Sequence, residues 1–187
     1  MAQKWRVDRA HIKNREKRAA PPLDERRLGD LALRYAARYA TTRAKLGAYL
    51  RRKIGERGWA GESEADPDGI VARFAELGYV DDAGFASVKG AALGRRGYGA
   101  RRIGEALRAA GVEEADRAGA QEAADAGKWE AAQALARRKR IGPYAAQRAG
   151  QDERRKQIAT FLRAGHDFAT ARRWVDAEPG ETPDKSD

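Results

Sequence analysis

The sequence predicts an all-α protein of short helices in series, and three observations carry that reading. Alanine supplies 40 of the 187 residues, and the Ala, Arg and Glu background consists of strong helix formers. The large apolar residues recur at intervals of three and four, which collects them on one helical face. Period-two alternation over five or more residues is absent, so nothing reads as a strand. Leu, Ile, Val and Phe total only 27 residues, too few for a deep, wide core. Small helical units with thin apolar stripes suit that supply better than one large globule.

The elements follow in order. Residues 1–27, with nine basic and four acidic residues and a Pro21-Pro22 break, read as a basic flexible tail; Trp5 and Val7 are too isolated to organise a core, and a short helix over 8–19 is the alternative. Regular structure is expected from Leu28, with Leu28, Leu31, Ala32, Tyr35 and Tyr39 at helical spacing, then Leu46, Tyr49, Leu50 and Ile54. Thr41 or Thr42 suits the N-cap between these two helices. Gly58 ends the second. Asp66 caps and Pro67 opens the next helix, whose stripe is Ile70, Val71, Phe74 and Leu77, with Gly78 at its end. Asp81-Asp82 starts a helix with Phe85, Val88, Ala92 and Leu93; the turn Gly94 to Gly99 follows, then Ile103, Ala106, Leu107 and Ala110, stopped by Gly111.

An alanine-rich stretch from Val112 leads past Gly119 to a helix beginning at Lys128, with Trp129, Ala132 and Leu135 and the basic run Arg137, Arg138, Lys139, Arg140. Gly142-Pro143 breaks the chain. Arg154 to Ala164 carries Ile158, Phe161 and Leu162; Gly165 stops it, and Asp167 caps a last helix with Phe168, Ala171 and Val175. Residues 177–187 read as an acidic, disordered end. Gly58, Gly111 and Gly165 each close a basic helix at near-constant spacing, which suggests tandem three-helix repeats in an elongated, curved array: repeat 1 over 28–82, repeat 2 over 83–124 and repeat 3 over 125–176. The expected core is Leu46, Leu50, Phe74, Leu77, Phe85, Ile103, Leu107, Leu135, Phe161 and Leu162.

Chemistry finds little purchase. Cysteine is absent, which excludes disulfides, zinc–thiolate sites and iron–sulfur clusters. The two histidines, His11 and His166, have no ligand at metal spacing. None of Ser63, Ser87 and Ser186 sits in a nucleophile turn. Gly97-Tyr98-Gly99 opens like a dinucleotide fingerprint, but Arg102 occupies the third glycine's place and no strand precedes it. Asp81-Asp82 and Glu113-Glu114 stand at helix starts, where capping and the helix dipole account for them. No catalytic residue, metal or cofactor is expected. The longest uncharged run is seven residues, Ile141 to Gln147, too short for a membrane span of about 20 residues, so a cytoplasmic protein is expected.

The charge says more. The chain carries a net +10. Residues 28–84 balance to zero, whereas 85–176 hold a net +8. Three clusters account for it: Arg95, Arg96, Arg101 and Arg102 around Tyr98; Arg137, Arg138, Lys139 and Arg140; and Arg154, Arg155 and Lys156. Such clusters attract polyanions or acidic protein surfaces, and Tyr beside Arg is the composition of protein–protein anchors. These twelve residues are the candidate partner-binding set, with the glycine turn expected to expose Tyr98; the alternative is that Tyr98 packs under its own turn and the arginines only cap or solvate helix ends. A free-standing nucleic-acid binder and an adaptor for some other acidic protein use the same residues.

One segment is more specific. Leu77-Gly-Tyr-Val-Asp-Asp82, Phe85-Ala86, Arg96-Gly-Tyr-Gly-Ala-Arg-Arg-Ile103, Leu107 and Ala110-Gly-Val112 stand in an order and spacing that resembles the RecX family, regulators of the bacterial recombinase RecA. Ala32 to Arg38 and Lys53…Arg57-Gly58-Trp59 are similar to that family's first repeat, and Arg137–Arg140 with Ile158–Gly165 and Phe168 to its third, so the likeness spans roughly residues 30–176. Thr41-Thr42 and Ala100 stand where the family usually has another polar cap and a proline. The resemblance implies a non-enzymatic, monomeric modulator, chiefly inhibitory. It implies that the protein lies in the groove of a RecA–DNA filament, with single- or double-stranded DNA as a further partner.

Overall fold

A computed structural model describes residues 20–185. Among them are nine α-helices, one 3₁₀ turn and no strand. The helices are α1 (Glu25–Arg38), α2 (Arg43–Arg57), α3 (Pro67–Glu76), α4 (Asp82–Arg95), α5 (Ala100–Ala109), α6 (Glu114–Ala126), α7 (Lys128–Lys139), α8 (Gln151–Arg163) and α9 (Phe168–Asp176). Short polar side chains start many of them. Asp24, Thr42, Asp66, Asp81 and Asp167 each accept a hydrogen bond from the amide three residues on, satisfying a donor the first turn leaves open. Gly119 does not interrupt α6, which runs to Ala126.

The buried apolar residues divide into three clusters, each drawn mainly from three consecutive helices. Leu23, Leu28, Leu46, Leu50, Val71, Phe74 and Val80 form the first; Ala86, Ile103, Leu107, Val112 and Ala120 the second; Leu135, Ile141, Ile158, Phe161, Trp174 and Val175 the third. Alanine, scarce in surface area but abundant here, lets α4 and α6 pack closely at Gly90, whose position faces Ile103 and Ala120.

Several expectations need correction. The chain is ordered well before Leu28: α1 begins at Glu25, Leu23 is fully buried, and its backbone pairs with Gly58 and Ala60 across an isolated bridge. Arg57 donates to the Pro21 carbonyl in the same place. Trp5, Val7, His11 and the alternative helix over 8–19 lie outside the described residues. Leu77 is 57% exposed: α3 has already ended, Gly78 turns the chain at φ 72°, and Val80 enters the core instead. Phe85 and Leu162 are half-buried at the edges of their clusters, and Phe168 is exposed. The largest fully buried side chain is Trp174, in contact with Trp129 and stacked on Tyr144. Residues 177–185 carry no helix yet fold back: Gly180 donates to the Pro143 carbonyl, Arg148 reaches Glu178 and Lys185 reaches Glu130.

Where the first helix triplet meets the second, Asp82 is the central group. Its buried carboxylate accepts from the Arg43 backbone N–H at 2.9 Å and from the Arg43 guanidinium at 3.4 Å, while the same guanidinium reaches Asp116. A charge buried this deeply is tolerated because both oxygens are satisfied.

Candidate partner-binding surface

The Gly97-Tyr98-Gly99 turn links α4 to α5, and of the two expectations for Tyr98, exposed or packed under its turn, the structure takes the packed one. The turn is the joint between the second and third core clusters. The Gly99 N–H donates to the Ala164 carbonyl at 2.9 Å, and His166 Nε2 lies 3.0 Å from the Gly97 carbonyl. Gly97 has φ 84°, and a Cβ there would stand 2.7 Å from the Leu135 backbone nitrogen. A side chain at Gly99 would meet the Gly165 carbonyl oxygen at 2.5 Å. The two glycines are therefore required by close backbone approach.

Tyr98 is half-buried and packs against both clusters. Two guanidinium groups approach its ring, Arg96 at 5.7 Å and Arg138 at 6.0 Å from the centroid, within cation–π reach. Arg138 also donates to the Arg96 carbonyl. The fold thus joins two of the basic clusters: the arginines at the end of α4 and those at the end of α7 share one rim around Tyr98. Arg101 and Arg102, at the start of α5, face elsewhere. Arg101 donates to the Leu162 carbonyl, and Arg102 pairs with Glu105 at 3.2 Å.

The third cluster does not join this rim as a unit. Arg154 makes a two-pronged bond to Asp176, at 2.5 and 2.7 Å, that ties α8 to α9. That hydrogen bond holds the Asp176 carboxyl below its usual range and raises Arg154. Arg155 lies 3.8 Å from the exposed Asp152, a contact of little consequence, and Lys156 is exposed. Among the described residues, Arg95, Arg96, Arg101, Arg137, Arg138, Lys139, Arg140 and Lys156 have no carboxylate within 4.0 Å. Of these, the arginines at the ends of α4 and α7 stand beside the joint, where they raise the local positive potential and favour an anionic partner surface.

Nothing in the sequence marks His166 beyond its place after the Gly165 stop. It is buried, packs on Phe161, and its Nδ1 has no hydrogen-bond partner. Burial pushes its pKa below the usual 6.5. No pattern of spacing marks it, because its partner Gly97 is 69 residues away. No group of three or more metal-ligating side chains occurs among the described residues, and no helix there is long and apolar enough to cross a membrane.

No family model matches the chain. It is 31% identical over 163 residues to the Regulatory protein RecX of Myxococcus xanthus (strain DK1622), an alignment covering 81% of this chain and 86% of that protein. An identity of that size, sustained over more than four-fifths of both proteins, means that the chain belongs to the RecX family.

Proposed function

We propose that this protein is a non-enzymatic regulator of the RecA recombinase. It binds in the groove of the RecA–DNA filament and inhibits ATP hydrolysis, strand exchange and coprotease activity. Alongside membership of the RecX family, the rim of unpaired arginines around Tyr98 supports this reading most directly. Its positive potential suits a nucleoprotein polymer rich in phosphate, and Arg and Tyr side chains make effective anchors on the protein walls.

The three helix triplets are read as tandem repeats, over residues 28–82, 83–124 and 125–176, in an elongated, curved array that follows the groove and bridges neighbouring RecA protomers. Each triplet has its own thin core, so the array is held by its joints, and those joints set its curvature. A monomer acting in the cytoplasm without a cofactor regulates in this way by occupying sites along a polymer.

The test is RecA ATPase activity on single-stranded DNA during titration with this protein. A progressive fall is expected, and a flat response at excess protein would overturn the proposal. Replacing Arg95 and Arg137 together by Glu, two residues without partners in the fold, is expected to leave the circular dichroism unchanged. Filament binding at fixed salt should weaken by about tenfold or more. The same unpaired arginines favour a second reading, direct binding to nucleic acid. That reading requires equal affinity for bare DNA and for the RecA–DNA filament, with a steep salt dependence.

A further inference from the structure

We infer that a second docking surface lies between the first and second helix triplets and takes an acidic segment of a partner protein carrying one large apolar side chain. The site is a groove of about 700 Å³ between the end of α1 and the exposed face of α4. Tyr39, Tyr79 and Val88 stand in it, respectively 50%, 54% and 72% exposed. Around them are Arg38, Lys45 and Lys89, none of which has a carboxylate within 4.0 Å among the described residues. The single acid there, Asp81, is engaged by the Gly84 amide. An apolar trough edged by three cations that lack a carboxylate partner is complementary to an apolar side chain flanked by carboxylates.

The lining favours a protein segment over nucleobases. Base stacking needs open ring faces. Here the Lys45 ammonium already lies 4.6 Å over the Phe85 ring, and Arg38 lies 5.5 Å over Tyr39. The third ring, Tyr79, is tilted against Phe74 with centroids 5.3 Å apart, and much of the remaining wall is methyl groups from Val88 and several alanines. The chain itself does not supply the occupant. Residues 1–19 hold seven basic and two acidic residues, the wrong sign, and the C-terminal segment is held on the third triplet by Gly180 at Pro143, Glu178 at Arg148 and Lys185 at Glu130.

The inference concerns residues other than those of the filament reading, and its test is separate. Random peptides displayed on phage are selected against the full-length protein. Segments with Asp or Glu flanking Leu, Ile, Phe or Trp are expected. By fluorescence anisotropy, their synthetic forms should bind the unmodified protein. They should lose about tenfold or more in affinity, near 1.4 kcal/mol, when Val88→Asp or the pair Lys45→Glu and Lys89→Glu is introduced. They should bind the Arg95→Glu, Arg137→Glu variant unchanged. A selection without an acidic–apolar consensus would overturn the inference, as would equal affinity for the Val88→Asp protein. So would groove variants that weaken binding of oligothymidylate and leave the peptides untouched. A flat ATPase titration with intact peptide binding counts against the filament reading alone.

Discussion

The Thr42 hydroxyl donates to the Ala110 carbonyl at 2.7 Å, 68 residues along the chain, while accepting from the Lys45 amide at 3.2 Å. One side chain thereby caps α2 and fastens the α5–α6 turn of the next triplet onto it. The next joint is built alike: Gly99, which occupies the cap position of α5, donates its N–H to the Ala164 carbonyl in the α8–α9 turn. The glycine after each accepting alanine also fits closely, Gly111 against Ala44 and Gly165 against the backbone of Arg102. In each case the second turn of one triplet rests on the first turn of the triplet before it.

Thr42→Val keeps the shape of the side chain and removes both hydrogen bonds. It leaves a buried carbonyl at Ala110 and an open amide at Lys45. A loss of about 1–3 kcal/mol is expected from the unsatisfied groups and the missing cap, read as a shift in the urea midpoint. Thr42→Ser should keep most of the stability, and equal midpoints for Val and Thr would show that the joint does not depend on this hydroxyl.

Gly97→Ala forces a Cβ onto the Leu135 backbone at a φ of 84°. The backbone strain alone is about 1–3 kcal/mol, and the overlap adds to it, so melting should fall by several degrees. Gly94→Ala is the control: it lies within α4 with nothing nearby, and should be neutral or stabilising by about 0.5–1 kcal/mol.

Leu107 is fully buried in the second core. Leu107→Ala should cost about 2–5 kcal/mol. Leu77→Ala, at a site more than half exposed, should stay within about 0.5 kcal/mol. Denaturation of the two variants side by side checks both assignments.

His166 makes stability depend on pH with a definite sign. Burial lowers its folded pKa below 6.5, against the opposing pull of the Gly97 carbonyl and Asp167, with Lys128 and Arg101 also lining the neighbouring cleft. The unfolded chain therefore takes up a proton before the folded one does. The stabilisation is complete above pH 6.5 and is lost as pH falls towards the lowered value. The denaturation midpoint should drop between pH 7.5 and 5.5 in the native protein, and His166→Gln should flatten that slope. An unchanged slope would assign the pH dependence to other groups.

Most of the helices, and the starts capped by Thr42, Asp66, Asp81 and Asp167, were legible in the residues themselves, because those signals are local; α1 and α8 begin three residues before the expected Leu28 and Arg154. A cap at Thr42, Asp66, Asp81 or Asp167 acts on an amide three residues away, and an apolar stripe needs only its own helix. The family motif from Leu77 to Val112 was readable for the same reason. What the tertiary structure decided are contacts between residues far apart in sequence. Tyr98 sits between two cores instead of facing outward because Leu135 and Ala164 close on its turn. Arg154 looks like its neighbours Arg155 and Lys156, and only the arrival of Asp176, 22 residues later, makes it a structural tie. Leu23 carries no periodic signal, yet it is fully buried because the chain at Gly58 and Ala60, more than 30 residues on, pairs with its backbone. Local hydrogen bonding and periodicity determine the helices; which cations remain unpaired, and on which rim, depends on distant carboxylates that only folding brings within reach.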